Sequence, residues 1–171
     1  EVTTYRADSY DPTSRKPTVS FGDSLVDDLV RRDFTVNAMA LSVVSGAFED
    51  PHGGLRDLEA RVLRTPSAPE VSFSDDPLRM MRAARFTSQL GFTPAPEVVA
   101  AMTDMAERID IISAERVRDE LSRLLLSDAP RAGLDLLVRT GLADRVAPEL
   151  FEPGGAGGGD DGAAEVLARQ F

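Results

Sequence analysis

Cysteine is absent from the 171 residues, which excludes disulfides and thiolate metal sites and fits a reducing cytoplasm, the expected location. Histidine is nearly absent. With His52 alone, a histidine metal cluster cannot form, so any divalent ion must be held by oxygen ligands, and magnesium-type chemistry is favoured over zinc. No apolar run approaches the length of a membrane span, so no membrane association is expected. A surplus of positive charge is also missing. The formal net charge is -10, which argues against a protein that coats nucleic acid nonspecifically but leaves room for a local basic cluster. Lys16 is the one lysine among 19 cationic side chains. Arginine suits fixed, forked contacts to phosphate, carboxylate and base edges, although arginine-rich codon usage in a GC-rich genome would produce the same bias. The first residue is Glu1 rather than methionine, and the residues after it already read as a strand. The expectation is a sequence whose upstream part is missing.

A hydrophobic content of 42% is enough for one ordinary core or two small ones. Three regions are expected: residues 1–66, a partial head domain; 67–150, a helical neck and the start of a body; 151–171, a glycine-rich linker and an incomplete helix. In the first, Val2-Thr3-Thr4-Tyr5-Arg6 is strand-like, and Asp11 to Pro17 is a polar loop with two prolines. Residues 37–44 and 47–49 read as strands joined around Ser45-Gly46, and Arg61 to Arg64 as another short strand. From Ser74 to about Leu142 the pattern is helical. Pro77 suits a first helical position after Asp75 and Asp76, and Gly91 closes that segment. A second helix follows Pro94-Ala95-Pro96. In the third, Val117, Leu121, Leu124 and Leu125 recur at i, i+4, i+7 and i+8, with Ser113 as N-cap. A fourth begins near Pro130, with Leu134, Leu137 and Val138 inward, and ends at Gly141. Residues 153–162 read as a linker, and 163–171 begin another helix.

Three clusters carry candidate chemistry. In Arg31-Arg32-Asp33-Phe34-Thr35-Val36-Asn37, two arginines and an aspartate precede a strand. Arginines there can hold a triphosphate and a carboxylate can accept from a ribose hydroxyl, while residue types alone favour an exposed salt-bridge cluster. In Asp75-Asp76-Pro77-Leu78-Arg79, helical spacing puts Asp75, Asp76 and Arg79 on roughly one face. A carboxylate and a guanidinium together can read the Watson–Crick edge of a base, but a helix start with favourable acids and an i,i+4 salt bridge is the commoner meaning. In Glu115-Arg116-Val117-Arg118-Asp119-Glu120-Leu121 the charges suit i,i+4 pairing, such as Arg116 with Glu120. The turn Asp50-Pro51-His52-Gly53-Gly54 has glycines that permit close backbone approach.

In this order, together with Met80-Met81-Arg82-Ala83-Ala84-Arg85-Phe86, these segments resemble the bacterial-type (class II) tRNA nucleotidyltransferases and their poly(A) polymerase relatives. The resemblance runs from Glu1 to about Leu150. It implies an α+β fold: the C-terminal half of a polymerase-β-like head with a small mixed sheet, then an all-helical neck and body. It implies template-independent transfer of nucleotides from CTP and ATP to the 3′ end of tRNA. The alternatives are a poly(A) polymerase adding AMP to RNA 3′ ends and a non-catalytic nucleotide- or RNA-binding module. Two Mg2+ ions are implied, held by paired aspartates expected upstream of Glu1, so no metal ligand is assigned within the chain and the fragment alone is expected to be inactive. Glu1 is set against a third carboxylate near those metals. Arg31, Arg32 and Asp33, with Asn37 in the same motif, match the segment that contacts ribose and triphosphate. Asp75, Asp76, Arg79 and Arg82 match the neck motif, in which Asp76 and Arg79 pair with the base; Asp75 stands where glutamate is commoner. Arg116 lies in the helix motif that supports the neck. No obligate protein partner is implied.

Overall fold

A computed structural model describes residues 6–9, 18–21 and 24–148. The expected features in residues 1–5, the loop of residues 11–17, the glycine-rich linker and the terminal helix lie outside them. Among the described residues the fold is α+β and mostly helical. Strands β1 (Arg6–Ser9) and β2 (Thr18–Phe21) pair antiparallel. Helix α1 (Leu25–Val30) follows, with Ser24 capping it through a bond from the Asp27 N–H, and then a 3-10 turn (Thr35–Asn37). Strands β3 (Ala40–Leu41) and β4 (Phe48–Glu49) form the expected hairpin, with Gly46 at φ 72. They are shorter than the sequence pattern suggested. Asn37 belongs to the 3-10 turn rather than a strand, so Arg31 to Asp33 run from a helix end into a turn. Leu41, Val43, Val44 and Phe48 are exposed on this hairpin, which no second layer covers among the described residues.

Helix α2 (Gly54–Ala60), not signalled by the sequence, leads to β5 (Val62–Leu63), which pairs in parallel with β6 (Thr93–Pro94). Helices α3 (Pro69–Asp75) and α4 (Leu78–Leu90) come between them. After β6 come α5 (Pro96–Asp104), a 3-10 segment (Ala106–Ile111), α6 (Ala114–Leu125), α7 (Pro130–Arg139) and α8 (Ala143–Val146). Proline opens α3, α5 and α7, where its missing N–H costs nothing. Gly91 and Gly141 take left-handed φ values of 65 and 73 just past α4 and α7.

The core is built around α4, which is buried along most of its length and packs against α3, α6 and α7. Gly133 lets α7 approach closely: a Cβ there would collide with the Ala84 carbonyl and lie 2.7 Å from Ser88 Oγ. The α7 face that enters the core is Gly133, Leu134, Leu136 and Leu137, so Val138, rotated past its edge, is 53% exposed rather than inward. Phe34 and Leu63 join this same core, Phe34 standing edge-on to Phe86 with ring centroids 5.6 Å apart. One hydrophobic cluster therefore runs across residue 66 and fixes the Arg31–Asn37 segment against the helices.

Candidate functional site

The end of α1 meets the start of α4 in an open cleft of about 490 Å3, lined by Arg31, Arg32, Asp33, Asn37, Asp76, Leu78, Arg79, Arg82 and Arg116. Of the residues singled out in the sequence, Asp75 ends α3 half-buried and is not among the lining residues, and Glu1 lies outside the described residues. Five arginines face two aspartates in a chain that is acidic as a whole. The cleft is thus a local positive focus suited to a polyanion.

Each charged group is braced. Asp28, buried on α1, accepts from Arg31 at 2.5 and 3.2 Å through one carboxylate oxygen and from Arg32 at 3.0 and 3.3 Å through the other. The helix spacing i,i+3 and i,i+4 was visible in the sequence, yet Asp28 was not selected as a site residue. Asp33 spans the cleft. One oxygen accepts from the Phe34 N–H at 2.8 Å and the Asn37 amide at 3.1 Å; the other accepts from Arg82 Nε at 2.9 Å and Nη2 at 2.5 Å. Arg82 also lies over the Phe86 ring at 5.4 Å and 3.7 Å from Glu120.

The Asp75–Arg79 segment departs from a single helix face. Pro77 disfavours helical backbone at the residue before it, and Asp76 sits extended at φ -146, ψ 98. Asp75 therefore stays with α3 while Arg79 starts α4. Asp76 accepts from the Leu78 N–H at 3.1 Å and from Arg116 at 2.9 Å. Arg79, buried, donates to the Ser72 carbonyl and hydroxyl at 3.3 and 2.8 Å and to the Arg31 carbonyl at 2.5 Å, tying together the ends of α3 and α1. Arg116 consequently pairs across the cleft rather than with Glu120. Glu120 is instead buried among Arg85 at 2.7 Å, Arg123 at 3.4 Å and Arg82 at 3.7 Å.

A second layer holds the 3-10 turn. Asp50 accepts from the Gly54 and Leu55 N–H groups at 2.6 and 3.0 Å, opening α2, and Gly53 takes φ 72. A Cβ on Gly54 would collide with the Thr35 carbonyl, so the close approach that the glycines allow is to the protein's own turn. Buried Asp57 accepts from Thr35 at 2.7 Å and Arg64 at 2.5 Å. His52 is a half-buried loop residue whose Nε2 has no hydrogen-bond partner among the described residues. Among the described residues no group of three or more His, Cys, Asp or Glu side chains could hold a metal ion, and no helix is long and apolar enough to cross a membrane.

Residues 1–64 match the poly(A) polymerase head domain family, and residues 91–152 match the family described as the probable RNA and SrmB-binding site of polymerase A. The CCA-adding enzyme of Levilactobacillus brevis is 48% identical over 143 residues, covering 83% of this chain and 36% of that protein. This chain belongs to the tRNA nucleotidyltransferase/poly(A) polymerase family. The CCA-adding enzyme of Bacillus subtilis is 42% identical over 85% of the chain and 37% of its own length. Among solved structures, the Bacillus stearothermophilus CCA-adding enzyme in complex with CTP is similar at TM-score 0.73 and 40% identity, over 82% of this chain and 33% of that one. A tRNA nucleotidyltransferase complexed with a primer tRNA and an incoming ATP analogue is similar at TM-score 0.69 and 32% identity, over 80% and 40%. The chain spans little more than a third of the length of these curated relatives.

Proposed function

We propose that the cleft is the incoming-nucleotide pocket of a protein that adds CMP and AMP to the 3′ end of tRNA without a template. The observation that carries this is the meeting of Arg31, Arg32, Asp33 and Asn37 with Asp76, Arg79, Arg82 and Arg116 in one positive cleft, in a family whose relatives are named CCA-adding enzymes. In the reaction the tRNA 3′-hydroxyl oxygen attacks the α-phosphorus, and the bond to the β-phosphate bridging oxygen breaks to release pyrophosphate. Magnesium would stabilise the charge on the attacking and leaving oxygens. The described residues offer no ligand cluster for it, so their part is binding and orientation.

Arg31 and Arg32, held from behind by Asp28, present donors to the triphosphate. Asp33 already accepts four hydrogen bonds, so a ribose hydroxyl reaches it by displacing the exposed Asn37 amide. On the base side Asp76 offers an acceptor, with Arg79 and Arg116 as donors. Arg79 would have to release the Arg31 carbonyl to read a base, which couples base selection to the arginine pair. We place the head portion up to about residue 66 and the helical neck over residues 67–150, joined by the shared core.

The test is equilibrium binding of CTP, ATP, GTP and UTP to the chain, followed by incorporation by the natural full-length protein on tRNA ending before CCA. Selective binding of CTP and ATP, then addition of C, C and A with arrest, is the expected result. A long A tail would mean poly(A) polymerase activity, and nucleotide binding without incorporation a non-catalytic module. Absence of nucleotide binding removes the reading altogether.

A further inference from the structure

Ser72 sits in α3, fully buried and outside the lining of the nucleotide cleft, yet it bonds both residues assigned to the base side. Its carbonyl accepts from the Asp76 N–H at 3.2 Å, the bond that closes α3 just before Pro77. The same carbonyl accepts from Arg79 Nη1 at 3.3 Å, and the Ser72 hydroxyl accepts from that nitrogen at 2.8 Å. The carbonyl is shared between two donors and its bonds are long, so the hydroxyl is the firmer hold on Nη1. Arg79 Nη2 reaches the other way, to the carbonyl of Arg31, a residue that lines the cleft. One end of the guanidinium is thus anchored in the core and the other is bonded at the cleft.

We propose that Ser72 is a positioning residue for base selection: its hydroxyl pins Nη1, so that Arg79 offers only its Nη2 end to a base. The inference rests on the reading of the cleft as a nucleotide pocket with Asp76 and Arg79 on its base side. Cytosine and adenine each present an amino donor beside a ring-nitrogen acceptor, an edge that suits a carboxylate beside a guanidinium. Uracil and guanine present a carbonyl beside a ring N–H, the reverse order, which sets acceptor against acceptor and donor against donor. That mismatch rejects the wrong base only while the guanidinium cannot turn to relieve it. An arginine free to swing at the mouth of an open cleft would accommodate both edges. Held by the Ser72 hydroxyl, with Arg79 itself only 9% exposed, it keeps one orientation.

Binding of CTP and of UTP to the full chain tests this, with circular dichroism to check that each variant is folded. Arg79→Met is the reference, and it should remove most of the preference for CTP over UTP. Ser72→Ala should lower that preference about tenfold, the scale of one buried hydrogen bond to a charged group. Ser72→Thr and Ser72→Val add the same bulk, but only threonine keeps a hydroxyl. The threonine variant should stay within about threefold of the unaltered preference, and the valine variant should behave like alanine. A hydroxyl that merely stabilises the fold would weaken CTP and UTP together; a preference unchanged in Ser72→Ala, or shared by the threonine and valine variants, overturns the proposal. If the unaltered chain does not prefer CTP, or Arg79→Met still does, the base-side reading of the cleft fails and the inference falls with it.

Discussion

Asp28→Asn isolates what the arginine brace does, because it keeps the shape of the side chain and removes its charge. Asp28 is buried and accepts four N–H groups from Arg31 and Arg32, whose side chains are 29% and 45% exposed. Hydrogen bonds to a charged group contribute about 1.5–3 kcal/mol each in isolation, but these share one acceptor and both donors are partly in water, so about 2–3 kcal/mol in total is expected. For a fold of this size that is a fall in melting temperature of roughly 5–10 °C. Nucleotide affinity sets two effects against each other. Removing a negative charge behind the cleft raises its positive potential and by itself favours a triphosphate by about 0.5–1 kcal/mol, which salt screens. Releasing two guanidinium groups means that each must be ordered again on binding, at about 0.5–1.5 kcal/mol apiece. Orientation wins by about 1 kcal/mol near physiological salt, so CTP and ATP should bind about fivefold more weakly. At low salt the gap narrows. The assays are urea denaturation followed by circular dichroism and calorimetric titration of CTP at two salt concentrations. Unchanged stability together with tighter CTP binding near physiological salt would refute the brace.

Glu120→Gln removes the buried carboxylate between Arg85, Arg82 and Arg123 and leaves Arg85 buried without its charged partner, with Gln89 still accepting from it at 2.6 Å; a loss of about 2–3 kcal/mol is expected in denaturant titration. Gly54→Ala should cost about 2 kcal/mol, because its Cβ would press on the Thr35 carbonyl and sit 2.8 Å from Met39 Cγ, and it should shift the melting curve accordingly. Ser113→Ala should leave stability within about 0.5 kcal/mol, since Ser113 occupies the N-cap of α6 without making a side-chain capping bond.

What the sequence made legible was what depends on short spacing. Proline and glycine marked the ends of α4, α5 and α7, and the β3–β4 hairpin followed from Ser45-Gly46. Helices α1 and α2 were missed because both are short and lie in a stretch of strand-like composition; their ends are set by Ser24 and by the Asp50 carboxylate, which single residues do not announce. Eight of the ten site candidates were legible as a set, since the cleft collects them. Their partners were not, because partnership is tertiary. Glu120 looked like a surface mate for Arg116 until α6 packed on α4 and buried it against Arg85.

The arrangement of the cleft turns on a single residue pair, Asp76-Pro77. Were the chain helical from Pro69 to Leu90, Asp75, Asp76 and Arg79 would share one face and would largely satisfy one another. Pro77 disfavours that helix, and Asp76 sits outside helical backbone. The consequence is a division of labour. Arg79 is left at the carboxyl end of α3, where a cation is favoured and the Ser72 carbonyl accepts from it. Asp76 is turned into the cleft, where Arg116 meets it from α6. The break between α3 and α4 thus converts what reads as a local salt bridge into two longer-range links, Arg79 to the Arg31 carbonyl and Asp76 to Arg116. Those links join the arginine pair to the helices on the opposite side of the cleft. The nucleotide-selecting role proposed for the cleft would need the groups on its two sides held in fixed relation, and this proline supplies that relation.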